Sequence, residues 1–261
     1  MNIKILVATH KKYWMPSDDV YLPIHVGREG KEYLGYIGDN TGKNISGKNA
    51  NYCELTGLYW AWKNLECDYI GLCHYRRYFS IKNFTGDFLI YKNFSDIEKF
   101  ILKEDSYVSL LEKYDVILPK KTYLDGYTTY EYYKIHHNIE DLNECEKIIN
   151  NIYPEYIKAF KKVMMDKEIY LCNMFVMNTK IFNDYMKWVF TILFELEKRI
   201  DISNYDNYQA RVFGFLSERL FNVYIENKKN NLNIHEIPII FAREVSYIKY
   251  IKYKAKNFLN Y

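Results

Sequence analysis

The residues best suited to chemistry follow an apolar run near position 70. The segment Tyr69–Cys73 is apolar, and His74, Arg76 and Arg77 come soon after it. In open α/β sheets ligands bind beyond the carboxyl ends of the strands, and an arginine side chain matches two phosphate oxygens at once. The sequence therefore predicts a diphosphate site at the end of this strand. The alternative is surface charge, which is what two adjacent arginines most often provide.

A second candidate segment is the polar loop over residues 38–49, which is rich in glycine, asparagine and lysine. It leads into a predicted helix that begins near Asn49 and carries Glu54. The amino end of a helix attracts anions, so Asn49 and Glu54 are candidates for binding a nucleotide or a sugar. The alternative is an ordinary turn that caps a core helix, with Glu54 in solvent.

The elements that must position these residues can be predicted from hydrophobic patterns. Continuous apolar runs of this kind are typical of strands buried on both faces. The predicted strands are Ile3–Ala8, Tyr69–Cys73, Val116–Leu118, Met174–Met177 and Ile237–Phe241. Helical periodicity begins near Asn49, Ile181 and Val212 and alternates with the strands. The order predicts an α/β fold with a mostly parallel central sheet flanked by helices, in one domain over residues 1–242.

Composition excludes several classes of protein. The chain has 261 residues, of which 49% are hydrophobic and 18% aromatic, so it can build a core and is not disordered. A net charge of +3 is too small for a dedicated nucleic-acid binder, and we expect no nucleic-acid partner. The five cysteines contain no C-x-x-C pair, which favours a reducing cytoplasm over a disulfide framework. No apolar run is long enough to span a bilayer.

The last segment, residues 243–261, has a different charge from the rest of the chain. It contains five basic residues and one acidic residue, and Ile248, Ile251 and Ala255 fall on one helical face. This pattern is typical of a basic amphipathic helix that lies on an anionic membrane surface. The alternative is a final helix that packs on the domain.

Several sequence signatures are absent. The chain has no G-x-G-x-x-G, no G-x-x-x-x-G-K-[ST], no H-E-x-x-H and no G-x-S-x-G. Their absence disfavours, in that order, a dinucleotide-binding oxidoreductase, a P-loop NTPase, a zincin metalloprotease and an α/β-hydrolase. It also lacks the Asp-x-Asp pair with which many sugar-nucleotide transferases hold a divalent cation. We therefore expect no metal cofactor, with manganese or magnesium left open.

Six motifs, in order, resemble those of bacterial capsular-polysaccharide-synthesis proteins that are grouped as a domain of unknown function. They are Thr9-His10-Lys11, Asn44-Ile45-Ser46, Tyr52–Asn64, His74–Phe79, Asn173-Met174-Phe175 and Arg211–Leu220. The resemblance spans roughly residues 3 to 225. It implies a GT-A-like (Rossmann-like) nucleotide-sugar-binding fold and glycosyltransferase activity in capsule, O-antigen or exopolysaccharide synthesis, with some members similar to galactosyl or galactofuranosyl transferases.

The resemblance also suggests roles for the candidate residues. Thr9, His10 and Lys11 would contact the nucleotide, as the end of the first strand does in GT-A enzymes. Arg76 and Arg77, next to His74, would neutralise the departing diphosphate in place of a metal ion.

Several residues are candidates for binding the sugar acceptor and for removing the proton from its hydroxyl group. Glu218, Asp206 and His136 are possible catalytic bases, and Asn173 and Arg211 possible acceptor contacts. Each has an alternative: Glu218 could pair with a neighbouring arginine, His136 could be a packed or solvated histidine, and Asn173 could be a buried structural residue.

We expect from these observations a hexosyltransferase that uses a nucleotide sugar, UDP-linked, and extends a lipid-diphosphate-linked glycan. It would be cytoplasmic and peripheral at the inner face of the cytoplasmic membrane. The alternatives are a sugar-phosphate transferase and a nucleotide-sugar-binding module without catalysis.

Overall fold

A computed structural model describes residues 1–83, 88–90 and 94–258. The strands in this part of the chain are β1 (Ile3–Thr9), β2 (Tyr21–His25), β3 (Ile37–Gly38), β4 (Tyr69–His74), β5 (Arg77–Phe79), β6 (Phe88–Ile90), β7 (Val116–Pro119), β8 (Thr122–Tyr123), β9 (Glu168–Ile169), β10 (Phe175–Asn178), β11 (Ile234–Ile237) and β12 (Ile239–Glu244). The helices are α1 (Asn49–Tyr52), α2 (Leu55–Asn64), α3 (Ser95–Glu98), α4 (Glu104–Leu111), α5 (Thr129–His136), α6 (Ile139–Ile152), α7 (Ile157–Met165), α8 (Thr179–Glu197), α9 (Val212–Lys228) and α10 (Tyr247–Phe258).

The central sheet runs in the order β11-β7-β10-β4-β1-β2-β3. Neighbouring strands along this path are parallel, except that β10 is antiparallel to both β4 and β7. The predicted mostly parallel sheet is therefore confirmed. Outside this path, β5 pairs with β4 and with β12, and β12 also pairs with β6. Strands β8 and β9 pair with each other in a separate two-stranded sheet.

Both faces of the sheet are covered, which explains the continuous apolar runs. Leu6 and Ala8 of β1 pack into a core cluster that includes residues of α2, α6, α7, α8 and α9. Ile5 and Val7 point to the other face and join a cluster with residues of α4 and β12. Because alternate side chains of one strand enter two cores, neither set can be polar.

Two element predictions are corrected by the structure. The run Ile237–Phe241 is not one strand, because Pro238, which has no backbone N–H, separates β11 from β12. The two parts then pair differently: β11 lies parallel to β7, and β12 lies antiparallel to β5.

The helix predicted from Asn49 is also interrupted. Helix α1 ends at Tyr52 and α2 begins at Leu55, with Cys53 between them at a φ of 52°. The Asn49 side chain holds the break, since its Nδ2 donates to the Cys53 carbonyl at 2.7 Å and to Thr56 Oγ1 at 3.1 Å. The break turns Glu54 toward the cleft described below.

The chain end differs in detail from the predicted tail. Strand β12 continues to Glu244, so the helix begins only at Tyr247, and residues 259–261 lie outside the described residues. Ile248 and Ile251 of α10 are exposed. The division into a domain over 1–242 and a tail stays a prediction. Among the helices described, none combines the length and the apolar character needed to cross a membrane.

Candidate active site

The carboxyl ends of β1, β2 and β4 meet at one edge of the sheet, because these three strands are parallel neighbours. In the register of the sheet Ala8 pairs with His74, and Thr9 pairs with His25. The segments that follow these strands therefore start side by side. This edge is where an open α/β sheet binds ligands.

Two cations and an imidazole surround the Tyr75 ring at this edge. The Lys11 Nζ lies 5.4 Å from the ring centroid and the Arg76 Cζ 4.9 Å from it. The His10 ring meets Tyr75 edge-on at 5.5 Å. Loss of hydration lowers the pKa of His10, and the positive charges of Lys11, Lys31 and Arg76 lower it further. The edge therefore presents a positive surface that suits a polyanion.

Thr9 stabilises the loop that follows β1 at this edge. Its side chain is 1% exposed, and Oγ1 donates to the Lys11 carbonyl at 2.6 Å while it accepts from the Lys11 backbone N–H at 3.2 Å. The hydroxyl is thus occupied within its own loop. Thr9 orients the segment that carries His10 and Lys11.

The turn after β2 is organised by Asp39, a residue that the sequence patterns did not single out. Its buried carboxylate accepts from the backbone N–H of Gly27 at 2.7 Å and of Arg28 at 3.0 Å. Gly27 has a φ of +63°, and a Cβ there would lie 2.3 Å from Asn49 Oδ1. Asn49 therefore packs against this turn and joins it to the α1–α2 break.

Beside this edge lies a cleft of about 220 Å³, lined by residues from the α1–α2 break, the end of α5, the turn before β10 and the start of α9. Its lining residues are Cys53, Glu54, Tyr132, His136, His137, Leu171, Cys172, Tyr208, Arg211, Gly214, Phe215, Glu218 and Arg219. Four of these, Glu54, His136, Arg211 and Glu218, are residues that the sequence predicted.

Glu218 is held on both of its carboxylate oxygens. Oε1 accepts from the Cys172 backbone N–H at 2.9 Å, and Oε2 accepts from Nη1 of Arg219 at 3.1 Å. Burial raises the pKa of Glu218, while the Arg219 guanidinium opposes the rise. A carboxylate with a raised pKa is a better proton acceptor near neutral pH than an exposed one.

The turn before β10 brings the second carboxylate into place. Cys172 and Asn173 both have positive φ, of 72° and 51°. Asn173 is buried, and its Nδ2 donates to Glu54 Oε1 and to Ser217 Oγ, both at 2.9 Å. Its Oδ1 is buried without a hydrogen-bond partner in the described part of the chain. Strained backbone and an unsatisfied buried oxygen are features that cluster at functional sites.

His74 joins the sheet edge to this turn. Its Nε2 lies 2.7 Å from the Cys172 carbonyl oxygen, which makes Nε2 the protonated nitrogen. Burial lowers the pKa of His74, the Glu54 carboxylate opposes this, and the Arg77 charge adds to it. His74 therefore acts in this arrangement as a link between the strand end and Cys172.

The charges at the sheet edge and the charges in the cleft are close enough to affect each other. The charge of Arg77 lowers the pKa of Glu218 as well as that of His74. Arg211 lines the cleft, and its charge lowers the pKa of His10 at the edge. Its Nε also donates to Cys53 Sγ at 3.2 Å. The two regions therefore form one site, in which the cations can bind an anionic group and the carboxylates can bind a hydroxyl group.

Two of the predicted base candidates are occupied by local hydrogen bonds. Asp206 Oδ1 accepts from the backbone N–H groups of Tyr208 and Gln209 at 2.9 and 2.7 Å, so this exposed residue caps a short helical turn. Asp206 is not among the residues that line the cleft. His136 does line it but is exposed, and its Nδ1 lies 2.8 Å from the Tyr132 carbonyl oxygen of its own helix.

Two cleft residues with side chains suited to binding, His137 and Arg219, were not among the predicted site residues. His137 stacks on Phe215 with a centroid distance of 4.0 Å. Arg219 is 3% exposed and lies over the Tyr133 ring at 5.2 Å. The adjacent histidines at 136 and 137 were a visible signal, but only the structure shows that both line the cleft and that His137 is stacked on Phe215 while His136 is exposed.

The described residues contain no group of three or more His, Cys, Asp or Glu side chains arranged to hold a metal ion. The expectation that the protein needs no metal stays a prediction.

The fold and the site together define a class of protein, a mixed α/β domain of GT-A-like fold with a positive sheet edge beside a cleft that holds two carboxylates. The chain belongs to the family described as a domain of unknown function, DUF4422, whose model matches residues 4–230. It is similar to a solved structure described as the apo structure of WbbM, a bifunctional glycosyltransferase, with 36% identity and a TM-score of 0.87. The match covers 93% of this chain and 45% of that chain, so this chain spans less than half of WbbM. No curated protein matches it.

These comparisons confirm the GT-A-like α/β fold and the membership of a family of unknown function. The link to capsule synthesis, the donor and the acceptor stay predictions.

Proposed function

We propose that this protein is a glycosyltransferase that moves a hexose from a nucleotide sugar to a glycan acceptor. The observation that carries the proposal is the link between the sheet edge that bears Lys11 and Arg76 and the cleft that contains Glu54 and Glu218. His74, at the end of β4, and Glu218, in the cleft, both hydrogen-bond to the backbone of Cys172. Glycosyl transfer needs both parts, because a diphosphate must leave and a hydroxyl group must lose its proton. The 36% identity to a bifunctional glycosyltransferase supports the same assignment.

The cations would stabilise the leaving group. Arg76 is exposed and Arg77 half-buried, and with Lys11 they lie where a diphosphate would sit beyond β1 and β4. Fixed positive charges aimed at a developing anion perform the electrostatic task of a metal ion. The proposal is therefore a metal-independent transfer, with UDP-linked galactose or galactofuranose as the donor.

Glu218 would act as the general base. In a direct displacement the acceptor oxygen attacks the anomeric carbon, its proton passes to Glu218, and the bond from that carbon to the diphosphate oxygen breaks. The diphosphate leaves with the electron pair. Asn173 and Arg211 would hold the acceptor side, and the acceptor would be a lipid-diphosphate-linked glycan of capsule, O-antigen or exopolysaccharide synthesis.

Release of nucleotide from UDP-, GDP-, CMP- and dTDP-sugars, with octyl hexopyranosides as acceptors, tests the proposal. We expect UDP release by the wild type, a loss of about a hundredfold or more in kcat for Glu218→Gln, and a loss of about tenfold to a hundredfold for Arg76→Ala. Lys12→Ala is the matched control, because Lys12 is an exposed neighbour of the site, and it should retain wild-type turnover.

Two outcomes would overturn the assignment. If the wild type releases no nucleotide from any of these donors but binds them, the protein is a binding module. If mass spectrometry finds phosphate in the new linkage, it is a sugar-phosphate transferase.

Metal independence has its own test. Because arginine and lysine charges would replace the cation, turnover in EDTA should equal turnover in manganese. Activity that disappears in EDTA and returns with manganese would contradict this part of the proposal.

A further inference from the structure

Three rings line one side of the cleft and have no role in the transfer proposed above. They are His137, Tyr208 and Phe215, and we call them the aromatic wall. Phe215 stacks on His137 at 4.0 Å and lies 5.0 Å from Tyr208, measured between ring centroids. Tyr208 is 52% exposed, so part of the residue is accessible to a ligand, and the Arg211 Cζ lies 6.0 Å from its ring centroid.

The hydrogen bonds of Gln209 determine which nitrogen of His137 carries its proton. Gln209 Nε2 donates to the His136 carbonyl at 2.8 Å, so its Oε1 is the atom that lies 3.3 Å from His137 Nδ1. An amide oxygen only accepts, and Nδ1 is therefore the donor. Burial and the nearby Arg219 charge lower the pKa of His137 to about 4, so the ring is neutral at physiological pH. Nε2 then keeps a lone pair, and it has no partner among the described residues.

Charged groups line another part of the cleft. Glu54, Glu218 and the buried Arg219 provide carboxylate and guanidinium groups that match hydroxyls. The volume of about 220 Å³ is below the roughly 300–1,000 Å³ of sites for drug-sized ligands. A single sugar ring, with one apolar face and a polar edge, fits an apolar wall beside a polar lining.

Resting on the proposed function, we propose that the aromatic wall binds the acceptor sugar, with the C–H face of a hexopyranose on the Tyr208 ring and one hydroxyl donating to Nε2 of His137. The negative face of an aromatic ring attracts the positively polarised C–H bonds. Since Glu218 lines the same cleft, a sugar held in this way keeps a second hydroxyl within the reach of the base.

Binding of octyl α- and β-galactopyranosides and glucopyranosides, measured by calorimetry, tests this subsite without needing turnover. Tyr208→Ala should weaken binding about tenfold, because the stacking surface is lost. Tyr208→Phe is the matched control, since it keeps the ring, and it should bind within about twofold of the wild type. His137→Phe should weaken binding about fivefold to tenfold, because it keeps a flat ring against Phe215 but removes Nε2.

UDP binding, measured on the same samples, separates this subsite from the donor site. We expect all variants to bind UDP as the wild type does. The subsite is overturned if Tyr208→Ala binds the glycosides normally, or if the wild type binds UDP but none of the four glycosides. Glycoside binding with this variant pattern and without UDP binding would instead leave the subsite in place and overturn the proposed transfer from a UDP-linked donor.

Discussion

The two carboxylates of the cleft are held in different ways. Glu54 Oε1 accepts from the amide of Asn173, whereas Glu218 accepts from a backbone N–H on one oxygen and lies against Arg219 on the other. Donors at both oxygens fix the orientation of Glu218 and favour its charged form, while burial favours its protonated form. This balance suits a residue that must accept a proton and release it again, and it favours Glu218 over Glu54 as the base.

His137 makes the stability of the protein depend on pH. Its pKa is about 4 in the folded protein and 6.5 for an ordinary histidine, so unfolding takes up a proton between these values. The stabilisation is complete above pH 6.5 and is progressively lost as the pH falls from 6.5 toward 4. Urea unfolding between pH 4.5 and 7.5 should therefore show a shallower pH dependence for His137→Phe than for the wild type.

The neighbouring histidine is the control for this experiment. His136 is exposed, and His136→Phe tests whether a phenylalanine at the end of α5 by itself changes the stability at pH 7.5, which should stay close to that of the wild type. Equal slopes for the wild type and His137→Phe would show that His137 titrates in the folded protein as it does in the unfolded chain.

At the scale of elements, the α1–α2 break depends on close packing against α9. A Cβ on Gly214 would lie 2.9 Å from Cys53 Sγ and 3.2 Å from Cys53 Cβ. Only a glycine at 214 therefore allows Cys53 to occupy its position at the break. The next residue, Glu54, depends on that position for its place in the cleft.

Gly214→Ala should destabilise the protein by about 1–3 kcal/mol and lower turnover, because the added methyl group pushes the break away from α9. Cys53→Gly in the same chain should restore most of the loss. It removes both clashing atoms, and glycine readily adopts the φ of 52°. Urea unfolding of the two single variants and the double variant measures this coupling as a double-mutant cycle.

Gly47→Ala is the control, since a Cβ at Gly47 meets nothing within 4 Å, and it should be close to neutral. Additive effects of Gly214→Ala and Cys53→Gly would mean that the contact between these residues does not hold the break.

At the scale of the whole molecule, α10 provides a surface suited to membranes. Ile248 and Ile251 are exposed beside the exposed Lys249 and Lys252. We expect the protein to bind vesicles that contain anionic lipid and to leave neutral vesicles alone. Truncation after Ser246 should abolish this binding, because it removes α10 and leaves the pairing of β12 with β6 intact.

Charge reversal tests the same surface in the full chain. Lys249→Glu together with Lys252→Glu should weaken vesicle binding by about tenfold or more, since each basic residue near such a surface contributes about 1 kcal/mol. In the absence of vesicles, the truncated protein and the double charge-reversal variant should both release UDP as the wild type does. Unchanged sedimentation of the truncated protein with anionic vesicles would refute membrane binding through α10.

The sequence alone was sufficient to predict the α/β class, strands β1, β4 and β7, and helices α8 and α9. These follow from local hydrophobic periodicity, which records how each segment meets a core. The cation cluster after β4 was also predictable, because parallel strands bring their carboxyl ends to one edge.

Only the tertiary structure decided which polar residues share the cleft. Glu54, His137 and Glu218 lie far apart in the chain, and their residue types do not distinguish them from Asp206, which does not line the cleft. The break at Cys53 is invisible to periodicity, because the apolar pattern continues across it. It exists because Gly214 of a distant helix leaves room for it and Asn49 satisfies its carbonyl. Local pattern therefore determined the elements, and long-range packing determined the site.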